Sequence, residues 1–263
     1  VGPELARGLV RYGTADVATG EPMRVEHHFR IASISKLLTG VAVQRLVAAG
    51  TLRLDQRVWP LLDGRVPVPA GADGRYRSIT VRQLLAHQAA LFGFDEPVDK
   101  AVFADPDRLA AVLARQKPAW EPGTRQAYHA ISLGFYQSEL LRRIDPLHRS
   151  LGQFFQDEIA TPLALDFYIR LPESVPDSRL AVLEPPSVLQ RLLGFPIGVT
   201  LAAFNRRSVL HRSLISNPGA SLPYDDRRIY ARNLEMPSGG GVGTARAIAR
   251  AYGVFASGGR ELN

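Results

Sequence analysis

No cysteine occurs among the 263 residues. That absence excludes a disulfide framework, a thiol nucleophile and thiolate metal sites, though it does not choose between oxidising and reducing compartments. No run approaches the roughly 18 apolar residues of a membrane-spanning helix, and Val1-Gly2-Pro3-Glu4 lacks the basic-then-apolar pattern of a secretory signal. Localisation therefore stays open, with the cytoplasm as the working expectation. The chain opens on Val1 rather than methionine, so an upstream segment is expected to be missing. No long basic block, zinc finger, aromatic RNP-type strand or basic zipper region accompanies the net charge of +7 and the pI near 10.0. With arginines spread along the chain, the charge reads as a solvated basic surface, and no nucleic-acid partner is expected.

What is present describes an ordinary globular chain. At 46% hydrophobic and 22% charged residues, it is long enough for a full core in one large domain or two small ones. Residues 8–20 read as a strand and turn, and about 34–49 as a buried helix carrying Leu37, Leu38, Val41, Val43, Leu46 and Val47 and ending near Gly50. Leu52 to Val58 pack on the core, and the Pro/Gly-rich stretch from Trp59 to Gly74 reads as a loop. Further helices are predicted after an N-cap at Thr80, over Asp107–Gln116, from Tyr128 through Ile144, over Leu151–Ile159 and over about 244–257. Residues 172–228, rich in Pro, Arg and Ser, read as an irregular lid or wrapping segment. There is no internal repeat.

The chemistry centres on Ser33-Ile34-Ser35-Lys36. A serine hydroxyl at neutral pH needs a proton acceptor within hydrogen-bond reach, and a lysine serves when burial or nearby positive charge lowers its pKa. At a helix N-terminus, positions three apart share a face, so the Lys36 amine reaches the Ser33 hydroxyl. First-turn N–H groups, which lack intrahelical partners, point toward any negative charge forming there. The tetrad alone equally describes a helix-capping Ser33 with a solvated Lys36. Downstream, Pro122-Gly123-Thr124 is followed by Tyr128-His129-Ala130, whose tyrosine completes a triad.

Other motifs carry plainer readings. His27 and His28, adjacent on a strand, face opposite ways and make a poor joint metal site. The Gly239-Gly240-Gly241-Val242-Gly243-Thr244 loop lacks the lysine of a P-loop and the spacing of a dinucleotide fingerprint. No metal or cofactor is expected.

Five fragments occur in one order: Phe29-Arg30-Ile31-Ala32-Ser33-Ile34-Ser35-Lys36, Ile79-Thr80-Val81-Arg82-Gln83-Leu84-Leu85-Ala86-His87, Pro122-Gly123-Thr124 with Tyr128-His129-Ala130, Glu158-Ile159-Ala160-Thr161-Pro162-Leu163, and Gly241-Val242-Gly243-Thr244-Ala245-Arg246. Together they resemble the serine β-lactamase-like superfamily of class C β-lactamases, D,D-peptidases and family VIII carboxylesterases. The resemblance implies an α/β (α+β) fold of the β-lactamase/transpeptidase type, a helical region packed on an antiparallel sheet, with 1–263 as a single domain. It implies Ser33 as the acylated nucleophile, Lys36 as its proton partner and Tyr128 as the base that also protonates the leaving group. His87 reads as structural, and His129 and Gly241 as substrate-binding.

Two departures from that pattern matter. Where the superfamily commonly has Tyr-x-Asn, this chain has Ala130, which lacks the amide that contacts an acylamide side chain; the pattern resembles the esterase branch. The segment with the third motif, Lys-Thr-Gly or His-x-Gly, does not occur before Asn263, and the first strand is short or missing, so an incomplete sheet is expected. The implied function is a carboxylesterase on small-acid esters. A D,D-peptidase or β-lactamase acting on amides is the alternative within the class, and a catalytically inactive scaffold or self-associating homologue the alternative outside it.

Overall fold

The structure is a computed structural model, and it describes residues 11–62, 74–184, 187, 190, 194–216, 232 and 234–262. Parts of the expected first strand, the Trp59–Gly74 loop and the 172–228 wrapping segment lie outside them.

The first element among the described residues is a small hairpin, β1 (Thr14–Asp16) against β2 (Glu21–Pro22). β3 (Phe29–Arg30) leads through a 3-10 turn at Ala32–Ile34 into α1 (Ser35–Ala48). α1 buries Leu38, Thr39, Ala42, Val43 and Leu46 on one face and stops at Gly50, whose φ of 72° suits glycine. Leu37, expected inside, is instead exposed: four residues after Ser33, it shares the outward face on which the tetrad lies. Leu52 and Val58 are buried as expected, and Trp59–Leu62 forms a short α2 rather than loop.

α3 (Val81–Leu85) starts in a capping box, Thr80 accepting from the Gln83 N–H while the Gln83 side chain accepts from the Thr80 N–H. α4 (Lys100–Ala104) and α5 (Pro106–Arg115) follow, the latter capped by Asp105 with Pro106 in its first turn. α6 runs over Ser132–Ile144, and α7 (Leu151–Phe155), opened by a Ser150–Gln153 capping box, continues as a π-helical turn over Gln156–Ala160. β4 (Phe167–Tyr168) precedes α8 (Ile197–Phe204); β5 (Val242–Gly243) precedes α9 (Ala245–Ala256), which Thr244 caps and Gly258 and Gly259 close at φ 89° and 71°.

Among the described residues the larger sheet has three strands in the order β3-β5-β4, both pairings antiparallel. Phe29 and Phe167 lie opposite Gly243, and Arg30 and Tyr168 opposite Val242. Helices pack on this sheet around a core that includes Leu38, Leu84, Tyr136, Leu140, Phe155, Phe167 and Val254. The expected combination of a helical region with an antiparallel sheet is what the chain builds.

Its glycine-rich turn has a packing reason. A Cβ on Gly241 would stand 2.6 Å from the Phe167 ring and 2.7 Å from the Ser35 hydroxyl, and one on Gly243 would stand 2.5 Å from the Phe167 ring. Glycine is what lets the central strand come this close to its neighbours.

Candidate active site

The residue before the tetrad's first serine, Ala32, sits at φ 47°. Such a conformation costs a non-glycine residue about 1–3 kcal/mol and persists only where the surroundings enforce it. Ser35 supplies that enforcement. Its buried hydroxyl donates to the Ala32 carbonyl at 2.6 Å and accepts from the Gly241 N–H at 2.9 Å, while the Gly241 carbonyl accepts from the Ile31 N–H at 3.0 Å. The turn carrying Ser33 is thereby clamped to the glycine turn before β5, with the Ser33 side chain left exposed.

Lys36, one turn on, points its Nζ at Ser33 Oγ, 3.3 Å away. The same nitrogen donates to the Ala130 and Ser238 carbonyls, each at 2.7 Å. Burial lowers the Lys36 pKa, the charge of Arg30 adds to that, and the Tyr128 hydroxyl opposes it. In the neutral amine the two carbonyls take up both N–H groups, which leaves the lone pair to the Ser33 and Tyr128 hydroxyls. Arg30 is itself aimed by a 2.6 Å hydrogen bond from Nε to the Gly239 carbonyl.

Tyr128 completes the group, its ring centroid 4.8 Å from Lys36 Nζ and its side chain 44% exposed. It belongs to a loop, not to α6, which starts only at Ser132. The backbone of this stretch is committed elsewhere: Ala127 N–H donates to the His87 carbonyl at 3.1 Å, His129 N–H to His87 Nδ1 at 3.0 Å, and the Ser132 hydroxyl to the Leu91 carbonyl at 2.7 Å. These bonds stitch 127–132 to 87–91 and replace the expected helical turn. Gly123 at φ 86°, donating to the Gln88 carbonyl at 2.9 Å, anchors the preceding turn.

His129 and Gly241, expected to bind substrate, lie behind the exposed surface. His129 is fully buried: its Nε2 accepts from the Leu91 N–H at 3.1 Å, which fixes the proton on Nδ1, donated to the Ala127 carbonyl at 2.6 Å. Burial holds its pKa down at about 4, so the ring is neutral. Gly241 is packed against Ser35 and Phe167. Both position neighbours in this arrangement. His87, at φ 60°, sets its ring centroid 5.0 Å from that of Tyr128 at a tilt of 55°, and burial followed by the charge of Lys36 lowers its pKa.

Several contributors had no signature in the sequence. Ser238 holds Lys36 through its carbonyl, and its hydroxyl accepts from the Gly134 N–H at 2.7 Å. Glu235, its carboxyl pushed up by burial, accepts from the Ser150 hydroxyl and the Gly152 N–H, tying the segment to the start of α7. A carbonyl ligand places no demand on side-chain type, so only the turn-prone Pro237-Ser238-Gly239 marked this stretch. A cavity of about 110 Å³ bounded by α4, α5, α6 and Leu234–Pro237 excludes Ser33, Lys36 and Tyr128.

The two histidines part company, His28 Nε2 lying 2.6 Å from Asp166 Oδ1 while His27 Nδ1 accepts from the Arg24 N–H at 2.8 Å. Among the described residues no cluster of three or more His, Asp or Glu could hold a metal ion, and no helix is long and apolar enough to cross a membrane.

A helical region on an antiparallel sheet, with a serine, a lysine and a tyrosine gathered at the turn into its first long helix, is the architecture of β-lactamase/transpeptidase-fold proteins. The Beta-lactamase family profile matches residues 6–263, and the chain belongs to that family. It is 29% identical over 259 residues to Esterase/beta-lactamase LipL of Mycobacterium tuberculosis, covering 94% of this chain and 55% of that protein. Solved structures that resemble it include a family VIII carboxylesterase (32% identity, TM-score 0.74) and a penicillin-binding protein homologue from Caulobacter crescentus (30%, TM-score 0.75). Each match covers 94% of this chain and 60% of the other. The chain thus spans somewhat more than half the length of these relatives.

Proposed function

We propose that residues 1–263 form a single serine hydrolase domain that acylates Ser33 and takes esters of small acids as substrates. The observation that carries this reading is the 3.3 Å approach of Lys36 Nζ to Ser33 Oγ, with the remaining valences of that nitrogen fixed on two carbonyls. Neutral Lys36 accepts the hydroxyl proton as Oγ bonds to the ester carbonyl carbon. The oxyanion that forms lies against the first-turn N–H of Ser33. When the intermediate collapses, the carbon–oxygen bond to the alcohol breaks and Tyr128 delivers the proton to the departing oxygen. Water then adds to the acyl-enzyme by the same route in reverse, releasing acid and free Ser33.

An ester is favoured over an amide by position 130. Ala130 is buried, its carbonyl is occupied by Lys36, and its methyl offers no donor to an acylamide side chain. Relatives named for β-lactamase activity, such as the Escherichia coli protein at 27% identity over 158 residues, keep amide hydrolysis as the competing reading. Parallel assays with p-nitrophenyl butyrate and nitrocefin separate the two. Faster turnover of the ester supports the proposal, and faster turnover of nitrocefin reverses it.

A further inference from the structure

From Pro185 to Tyr224, 40 residues of sequence contain no aspartate or glutamate and four arginines, Arg191, Arg206, Arg207 and Arg212. Within this stretch stands α8, packed against the π-helical turn His211–Ile215 and burying none of its own residues. Ile197, Leu201 and Phe204, at i, i+4 and i+7, share one face and are 79%, 64% and 75% exposed. Phe195, Leu214 and Ile215, also exposed, add to the apolar surface. Exposed large apolar side chains gathered on one helix face mark an interaction site.

The π-helical turn against which α8 packs touches residues 92–95, next to the 87–91 stretch to which the Tyr128 loop is tied. The Arg212 guanidinium lies 5.0 Å from the Phe92 ring centroid and 3.7 Å from Asp95, and the Arg212 carbonyl is close enough to Gly93 that a Cβ there would stand 2.9 Å from it. The Phe92 ring centroid lies 5.2 Å from that of Trp120, which precedes the turn that leads to Tyr128, the two rings tilted by 31°.

We propose that α8 is an interfacial anchor that seats on an anionic phospholipid surface. The helix is apolar nearly all round, its exposed Ile197, Leu201 and Phe204 entering the boundary between headgroups and acyl chains, while Arg206 and Arg207, exposed directly after its last turn, meet the headgroup phosphates. The charge pattern decides against a second copy of the chain as the occupant. A two-fold interface is built from the same patch on both copies, and residues 185–224 hold no acidic residue that could pair Arg206 and Arg207 across it. The helix lies on such a surface; it does not span it.

The test is cosedimentation of the protein with phosphatidylcholine vesicles, with and without phosphatidylglycerol. Binding is expected to the mixed vesicles, to weaken in high salt, and to fall about tenfold or more in an Arg206→Glu/Arg207→Glu variant. Leu201→Ser/Phe204→Ser, whose side chains are exposed and whose fold circular dichroism checks, is expected to abolish it. No binding of the parent protein to anionic vesicles, or equal binding by either variant, overturns the proposal. So does a dimer in light scattering that the Leu201→Ser/Phe204→Ser change dissociates, which assigns the surface to self-association. Ser33→Ala is expected to bind vesicles as the parent does, so this outcome and that of the hydrolase reading are separable.

Discussion

The carbonyl oxygen of Ser238 accepts a 2.7 Å hydrogen bond from the Lys36 amine across 202 positions of sequence. That bond, with its twin to Ala130, leaves the third position of the nitrogen to the Ser33 and Tyr128 hydroxyls. With Lys36 as the proposed base, activity is limited by the fraction of amine that has lost its proton. Burial and Arg30 lower the Lys36 pKa, so acylation is expected to rise with pH through a value below the ordinary lysine figure of about 10.4. Removing one of these causes in Arg30→Gln moves the profile to higher pH. A stopped-flow pH profile of acylation that is flat, or unmoved in the variant, contradicts this role.

Tyr128 is half-exposed, and its ring carries little of the core. Tyr128→Phe keeps the ring and removes the proton it would deliver. Acylation is expected to slow by about 10²–10⁴, while unfolding free energy changes by less than about 0.5 kcal/mol. Unchanged acylation kinetics would remove Tyr128 from the mechanism.

Ser35 and Ser33 are two residues apart with opposite duties. Ser35→Ala leaves the buried Gly241 N–H without its acceptor and frees Ala32 from its clamp, an expected loss of about 1–3 kcal/mol in denaturant unfolding. Ser33→Ala, at an exposed side chain, is expected to leave stability within about 0.5 kcal/mol of the parent.

His129 ties folding to pH. Its folded pKa of about 4 lies below the unfolded value of about 6.5, so the unfolded chain binds the extra proton in between. The contribution is complete above about pH 6.5 and shrinks as pH falls toward 4, by up to about 3 kcal/mol. Chemical denaturation across this range is expected to show that slope in the parent and a shallower one in His129→Asn. Equal slopes would place the titration elsewhere.

Much of this arrangement is written in local sequence. The capping residues Thr80 and Thr244, the closing pair Gly258-Gly259 and the three-residue spacing of Ser33 and Lys36 are short-range signals, and each has its counterpart in the structure. What escaped was non-local. Leu37 reads as core by hydrophobicity but faces outward with Ser33, and Tyr128 reads as helical but its neighbours' N–H groups are drawn to His87. The buried side of His129 and the carbonyls of Ala130 and Ser238 are fixed by partners tens to hundreds of residues away. The glycines at 241 and 243 are explained only once Phe167 and Ser35 are seen against them.

The formation of an acyl-enzyme on Ser33 is tested most directly by treating the folded protein with a fluorophosphonate and locating the adduct by mass spectrometry. The account predicts one stoichiometric adduct on the peptide bearing Ser33, absent from Ser33→Ala and strongly slowed in Lys36→Met. An unlabelled folded protein, or an adduct that persists in Ser33→Ala, would contradict it.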